Sequence, residues 1–391
     1  MKAVWRWFGP DDPITLAQIR QAGASGIVTA QHNRAAGEPW SASEIATTKA
    51  MIEDGGLTWD VCESIWMSDE IKLKGSAAKA EIDAWIVTMR NLADAGVKTI
   101  CYNFMPLLDW TRTDLDYDVA ERGRALRFDM VDFIVYDVHI LARSNAKETY
   151  PSKLLHAADQ RFKAMTGAGQ NTLERNIIAG LPGSSTGFTR DHLRGAITQF
   201  STLSHDDLRA NLQSFLTAVL PEAERLGVQL AIHPDDPPMP LFGLPRCVST
   251  TDDLRFLLDC YPSAANGLTF CAGSLGARSD NDLPNLAQEF GDHIHFAHLR
   301  NVQREPDGSF FEAAVFEGST PMVDVIKALL KSMQNGTPQG LPFRPDHGHL
   351  LAFEGDQKTN PGYSYLGRLK GLAELRGAVT ALSAKQCDWE T

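Results

Sequence analysis

Apolar residues along this chain gather in short runs rich in Val, Ile, Phe and Thr, each followed by a longer amphipathic stretch of helical spacing. Eight such runs lie near Ala3–Trp7, Gly26–Thr29, Thr58–Cys62, Lys98–Phe104, Val228–His233, Leu268–Cys271, His293–Leu299 and Leu341–Asp346. Single strands alternating with helices predict an all-parallel sheet, and eight βα units predict an α/β fold closed as one (β/α)8 TIM barrel. An open doubly wound sheet is the alternative. Helix signals fill the gaps: Ser41 and Ser43 precede EIATTKAMIEDGG, where Gly55 and Gly56 supply the stop, and ALLKSM runs towards an Asn335–Gly336 turn.

One interval is too long for a single helix. Between the fourth and fifth runs, residues 105–227 are expected to form a helical insertion, because MVDFIVYDVHILAR and DLRANLQSFLTAVLPEAERLG both read as helices. The preceding DWTRTDLDYDVAERGRALRFD is charged and turn-rich. The insertion reads as a cap over the barrel mouth or a subunit contact. No linker separates it, so residues 1–391 are expected to form one domain.

Composition narrows the functional classes. The chain has 391 residues, 43% of them hydrophobic and 22% charged, as in an ordinary globular protein. The net charge of −12 and the lack of a basic cluster exclude nucleic acid as an expected partner. No apolar tract approaches the ~18 residues of a membrane span. MKAVWRWFGP carries no secretory pattern, which predicts a cytoplasmic protein whose six cysteines, at 62, 101, 247, 260, 271 and 387, are reduced.

Chemistry in such barrels sits at the carboxyl ends of the strands. The fifth to eighth runs end in LAIHPDDPP, LTFCAGS, IHFAHLR and FRPDHGH. They deliver His233, Cys271, His298 and Asp346 to one rim. Each alone is unremarkable, as a buried thiol, a structural histidine or a turn-setting acid. At equivalent positions of four consecutive units, they read as one divalent-metal site. Imidazole and thiolate suit zinc or iron, and the carboxylate suits manganese. His347 follows Asp346 and is placed beside such an ion, kept neutral as a proton acceptor. Arg300, two residues beyond His298, is placed to pair with a substrate carboxylate. His349, Asp235 and Asp236 read as turn residues.

Gly183, Ser185 and Gly187 form a G-x-S-x-G, but Pro182 breaks the strand that a nucleophile elbow requires. No dinucleotide or Walker fingerprint is present, so no nucleotide cofactor is expected.

Taken together, WRWFGP (Trp5 to Pro10), CYNFMP (Cys101 to Pro106), LDWTRTDL (Leu108 to Leu115), IAGLPG (Ile178 to Gly183), HPDDPP (His233 to Pro238), CAGS (Cys271 to Ser274), HLR (His298 to Arg300), RPDHGH (Arg344 to His349) and the C-terminal NPGYS and GRLKGLAELRG resemble the mannonate dehydratase family. That family's barrel is similar to those of the xylose isomerase-like group. The resemblance implies metal ligation by His233, Cys271, His298 and Asp346, with Mn2+ the usual ion and Fe2+ or Zn2+ as alternatives. It implies a proton-transfer pair at His347 and Tyr363, and dehydration of D-mannonate to 2-dehydro-3-deoxy-D-gluconate in hexuronate (glucuronate) breakdown. Arg300, Asn103, Trp110, Arg112 and His32 are the expected substrate contacts, and a homo-oligomer, a dimer first, is the expected assembly. A sugar isomerase or epimerase on the same scaffold is the rival enzyme, and a sugar-acid binding protein the rival from another class.

Overall fold

The computed structural model describes residues 1–179, 189–334, 340–355, 357 and 359–384. Gly183, Ser185 and Gly187, the Asn335–Gly336 turn and Cys387 lie outside the described residues. In chain order the strands are β1 (Lys2–Arg6), β2 (Gly26–Thr29), β3 (Thr58–Glu63), β4 (Thr99–Tyr102), β5 (Asp114–Val119) and β6 (Gly123–Phe128). They continue as β7 (Gln229–Ile232), β8 (Asn266–Cys271), β9 (Ile294–His298), β10 (Asn301–Arg304), β11 (Phe310–Ala313) and β12 (Pro342–Arg344).

Eight of these close a parallel barrel in the order β1-β12-β9-β8-β7-β4-β3-β2. They are the eight runs expected from the sequence, each matched to within two residues at either end. The seam is formed by Lys2 opposite Pro342 and Ala3 opposite Phe343. Alternation along each strand divides the side chains between two layers. Val4, Val28, Val61, Cys101, Ala231 and Phe296 fill the barrel interior. Their strand neighbours, among them Trp5, Ile27, Cys62, Ile100, Leu230 and Ala297, face the surrounding helices in the main core.

Local signals set the helix ends. Ser41 caps the helix Ala42–Asp54 through a reciprocal bond with Glu44, and Gly55 ends it. The helix His205–Leu226 ends at Gly227 in the left-handed conformation. Its Leu208, Leu212, Phe215, Leu216, Val219 and Ala223 lie in the main core, so this segment is a helix of the barrel wall rather than part of the insertion.

The rest of 105–227 departs from the helical expectation in a second way. DWTRTDLDYDVAERGRALRFD contains the hairpin β5–β6, which joins β10 and β11 in an antiparallel sheet of order β10-β11-β6-β5. The connections after β4 and β9 thus build one accessory sheet together. Beneath it Phe128, Phe133, Tyr136, Phe200, Phe242, Val302 and Phe310 form a second core. MVDFIVYDVHILAR is helical, as Met130–Val135 running into a π-helical turn, Tyr136–Ile140. Among the described residues no helix is long and apolar enough to cross a membrane, and Cys62, Cys101, Cys247, Cys260 and Cys271 are free thiols.

Candidate active site

Strand ends supply most of the site. Arg6 ends β1, Glu63 ends β3, Cys271 ends β8, His298 ends β9 and Arg344 ends β12; Asn103 and His233 each directly follow a strand. Asp346 stands two residues past β12 with a left-handed φ of 68°, which a carboxamide or carboxylate residue tolerates better than a branched one. Such a conformation persists only where its surroundings hold it, and here Arg344 Nη1 lies 2.7 Å and Arg300 Nη1 3.2 Å from the Asp346 carboxylate.

His233, Cys271 and His298 converge so that one donor atom of each lies within 4.8 Å of the others. Asp346 is not part of that cluster, but its Oδ2 is 3.8 Å from His298 Nδ1. These residues could hold a cation. His233 Nδ1 donates to the Pro234 carbonyl at 2.7 Å, leaving Nε2 as its free nitrogen. His298 Nδ1 is buried with no hydrogen-bond partner and, because Arg344 Nε donates to Nε2, carries the hydrogen of the neutral ring, so ligation through Nδ1 would require the other tautomer. Burial lowers the pKa of both imidazoles, in His298 reinforced by the Arg344 charge, so both rings are neutral. Burial pushes the Cys271 thiol up to about 12. Asp346 would be raised by burial, but Arg344 and its neighbours outweigh this and hold it ionised well below its ordinary value.

Above this cluster opens a cleft with about 540 Å3 of empty space, its solvent-facing part included. His347 and Tyr363 lie side by side in its wall, ring centroids 4.9 Å apart and nearly perpendicular. Burial, then the Asp346 charge, pushes the Tyr363 phenol up to about 12. His347 Nε2 is 3.9 Å from Asp346, and its Nδ1 faces Glu312 and Arg300. Asn103, Trp110 and Arg300, three of the expected substrate contacts, line the cleft. Arg300 is already engaged, at 2.7 Å from Asp236 and 3.4 Å from Glu312.

Two expected substrate contacts stand elsewhere. Arg112 is fully buried and spent on Asp236 (2.8 Å) and Glu312 (3.2 Å), outside the lining of the cleft. His32 packs between Phe8 and Trp66, also outside the lining, and burial lowers its pKa to about 3. Asp235 is structural, but as a tie between distant segments and not a turn-setter: its carboxylate accepts from Val248 N and Ser249 Oγ. Asp236 is more: it joins Arg112 to Arg300, and their charges overcome the effect of burial and hold it ionised.

Sequence reasoning gave no role to Glu63, Arg344 or Glu312. Arg344 donates two hydrogen bonds to Glu63, at 2.9 and 3.0 Å, and one from Nε to His298 Nε2 at 3.1 Å. The signal for Glu312 was an acid in an otherwise apolar strand, SFFEAAVF.

A closed parallel barrel whose strand ends gather a His–Cys–His cluster under a buried His–Tyr pair defines a TIM-barrel enzyme with its site at the carboxyl rim. The model for the family D-mannonate dehydratase (UxuA) matches residues 1–388, and the chain belongs to this family of hydro-lyases. It is 51% identical to a mannonate dehydratase of Saccharophagus degradans, covering 99% of both chains. It is also 51% identical to mannonate dehydratase 2 of Agrobacterium fabrum, over 98% of this chain and 97% of the other. The crystal structure of mannonate dehydratase from Streptococcus suis serotype 2 superposes with a TM-score of 0.79 at 30% identity, covering 100% of this chain and 99% of that one. A D-psicose 3-epimerase structure, at TM-score 0.52 and 13% identity over 97% of this chain and 99% of that one, shares the fold alone.

Proposed function

We propose that the chain dehydrates D-mannonate to 2-dehydro-3-deoxy-D-gluconate using one divalent metal ion held by His233, Cys271 and His298, with Asp346 as the fourth ligand. The carrying observation is the placing of three neutralisable N and S donors within 4.8 Å of one another, directly under the His347–Tyr363 pair. The mixed N, S and O set fits Mn2+, Fe2+ or Zn2+, with manganese the first choice. When bound, the ion supplies a fixed positive charge opposite the negative charge that develops on the substrate.

The chain's own residues handle the protons. His347 takes the proton from C2 of the sugar acid, and the released electron pair passes into the substrate carboxylate as an enediolate; that pair then returns to form the C2–C3 double bond as the C3–O bond breaks. Tyr363, still protonated at neutral pH, gives its proton to the departing 3-hydroxyl, which leaves as water. The resulting enol becomes the 2-keto acid by tautomerisation. Asn103, Trp110 and Arg300 meet the substrate across the cleft.

The test is incubation of metal-reconstituted enzyme with D-mannonate in deuterated water, with the keto acid trapped by semicarbazide. His347→Asn is expected to abolish both keto-acid formation and exchange at C2; retained exchange refutes the assignment of the base. A C2-epimeric sugar acid formed without semicarbazide-trapped 2-keto acid would point to epimerase chemistry instead.

A further inference from the structure

Glu312 has no part in the reaction as set out above, yet it packs closely against His347. On β11, Phe310 and Glu312 are buried while Phe311 and Ala313 are half-exposed, as alternation requires. Phe310 behaves as an apolar position should, stacking on Phe128 at 5.6 Å. Glu312 breaks the pattern with a carboxylate that is 3% exposed. Burying an ion costs several kcal/mol unless partners repay it, so its partners should explain its presence. Its Oε1 is 3.2 Å from Arg112 Nη2, 3.4 Å from Arg300 Nη1 and 3.0 Å from His347 Nδ1. Both arginines already have a shorter carboxylate contact, to Asp236, at 2.8 and 2.7 Å. The contact that Asp236 does not duplicate is the one to His347.

We propose that Glu312 is a positioning residue: it accepts the Nδ1 hydrogen of His347, fixing the neutral ring in the tautomer whose free nitrogen is Nε2 and aiming that nitrogen into the cleft. Arg300 Nη1, 3.3 Å from the same Nδ1, would favour the opposite tautomer. The carboxylate contact is shorter, and a bare Nδ1 would set its lone pair against those of a carboxylate oxygen at 3.0 Å, so the hydrogen resides on Nδ1. Glu312 is not among the residues lining the cleft, so it acts through His347 rather than on the substrate. A carboxylate that holds a histidine's tautomer and orientation from behind is a recurring division of labour. The accessory sheet is thereby part of the catalytic apparatus.

This inference rests on His347 being the base, and its test separates the two claims. Glu312→Leu removes the acceptor while filling its space; Glu312→Gln keeps an acceptor without the charge. Turnover of D-mannonate by Glu312→Leu is expected to fall about 10²-fold, the scale of a general-base contribution, with KM and bound metal within about two-fold of wild type. Glu312→Gln is expected to recover most of the loss. Imidazole 15N spectra of the zinc-loaded, 15N-histidine-labelled protein give a readout independent of activity, with the His347 signal identified by its absence in His347→Asn. The wild type should show the Nδ1–H form, and Glu312→Leu a switch towards Nε2–H. An Nε2–H wild type, an unswitched variant, or unchanged turnover in Glu312→Leu would overturn the proposal. Should Glu312→Leu not fold, Glu312→Gln decides by whether it retains the Nδ1–H form and most of the turnover. If His347→Asn still exchanges C2, the base assignment fails, while the spectra still decide whether Glu312 sets the tautomer.

Discussion

Replacing Gly273 by Ala tests whether the arginine–carboxylate network, rather than the ligand cluster alone, sets the activity. Gly273 lies in the short helix Ala272–Leu275 that leaves Cys271 at the end of β8. A Cβ there would fall 2.0 Å from Arg300 Nε and 2.9 Å from its Cγ and Cδ. Restoring an ordinary contact of ~3.5 Å requires the guanidinium to retreat by about 1.5 Å. Arg300 stands 2.7 Å from Asp236, 3.2 Å from Asp346 and 3.3 Å from His347, and a shift of that size takes these contacts out of hydrogen-bonding range. A misplacement of ~1 Å near reacting groups costs about 10²-fold, so kcat/KM for D-mannonate should drop by about that factor. The overpacked site should also lose roughly 1–3 kcal/mol of stability. Semicarbazide-trapped keto acid measures the first effect and urea unfolding the second. Gly195→Ala is the control: nothing lies within 4 Å of its added Cβ, so activity should be untouched. If Gly273→Ala keeps activity within about two-fold of wild type, the network does not constrain the reaction and the reasoning fails.

Three other outcomes are expected. Tyr363→Phe should lose about 10²-fold or more in keto-acid formation while still exchanging C2 hydrogen, because the acid is gone and the base remains; loss of both together would contradict the division of roles. Since burial holds the Cys271 thiol protonated up to about 12 and keeps both imidazoles neutral, loading one divalent ion should release one proton, and apparent affinity should rise about tenfold per pH unit near neutrality. Calorimetry in buffers of different ionisation enthalpy reads that proton, and a pH-independent affinity would remove the thiolate from the ligand set. His32 and His295 have folded pKa values lowered by burial to about 3 and about 4, so the unfolded chain alone takes up their protons as pH falls below 6.5. Their stabilisation is complete above that pH and is lost towards pH 3–4; by pH 5.5 each should cost about 1.4 kcal/mol, and His295→Gln should shrink the measured loss between pH 8 and 5.5 by that amount.

The barrel was legible because its strands are buried on both faces and read as continuous apolar runs, such as GIVT and TICY. The β5–β6 hairpin was not. DLDYDV does alternate Asp with Leu, Tyr and Val, but its three aspartates, poor strand formers, let it pass for a charged, turn-rich loop. Its partner β11 arrives from nearly two hundred residues away, which no local pattern records. The same separation hid the site's wiring. His233, Cys271 and His298 could be read from strand ends, because the fold sends strand ends to one rim. Arg112 could not be told from a substrate contact, since its partner Glu312 lies 200 positions along the chain. Asp236 looked like its neighbour Asp235 in HPDDPP, and only the three-dimensional approach of two arginines distinguishes them.

The seam of the barrel has a consequence for how the protein is made. Until β12 has been synthesised, the other barrel strands can form only an open sheet, with β1 and β9 as bare edges able to pair with another chain. Insertion of β12 closes that sheet late and, bringing Arg344 and Asp346 to the rim beside Glu63, assembles much of the site in the same event, with Tyr363 following. Enzyme activity in a growing cell extract therefore times the end of folding, and conditions that slow ring closure should surface first as aggregates rather than as weakly active enzyme.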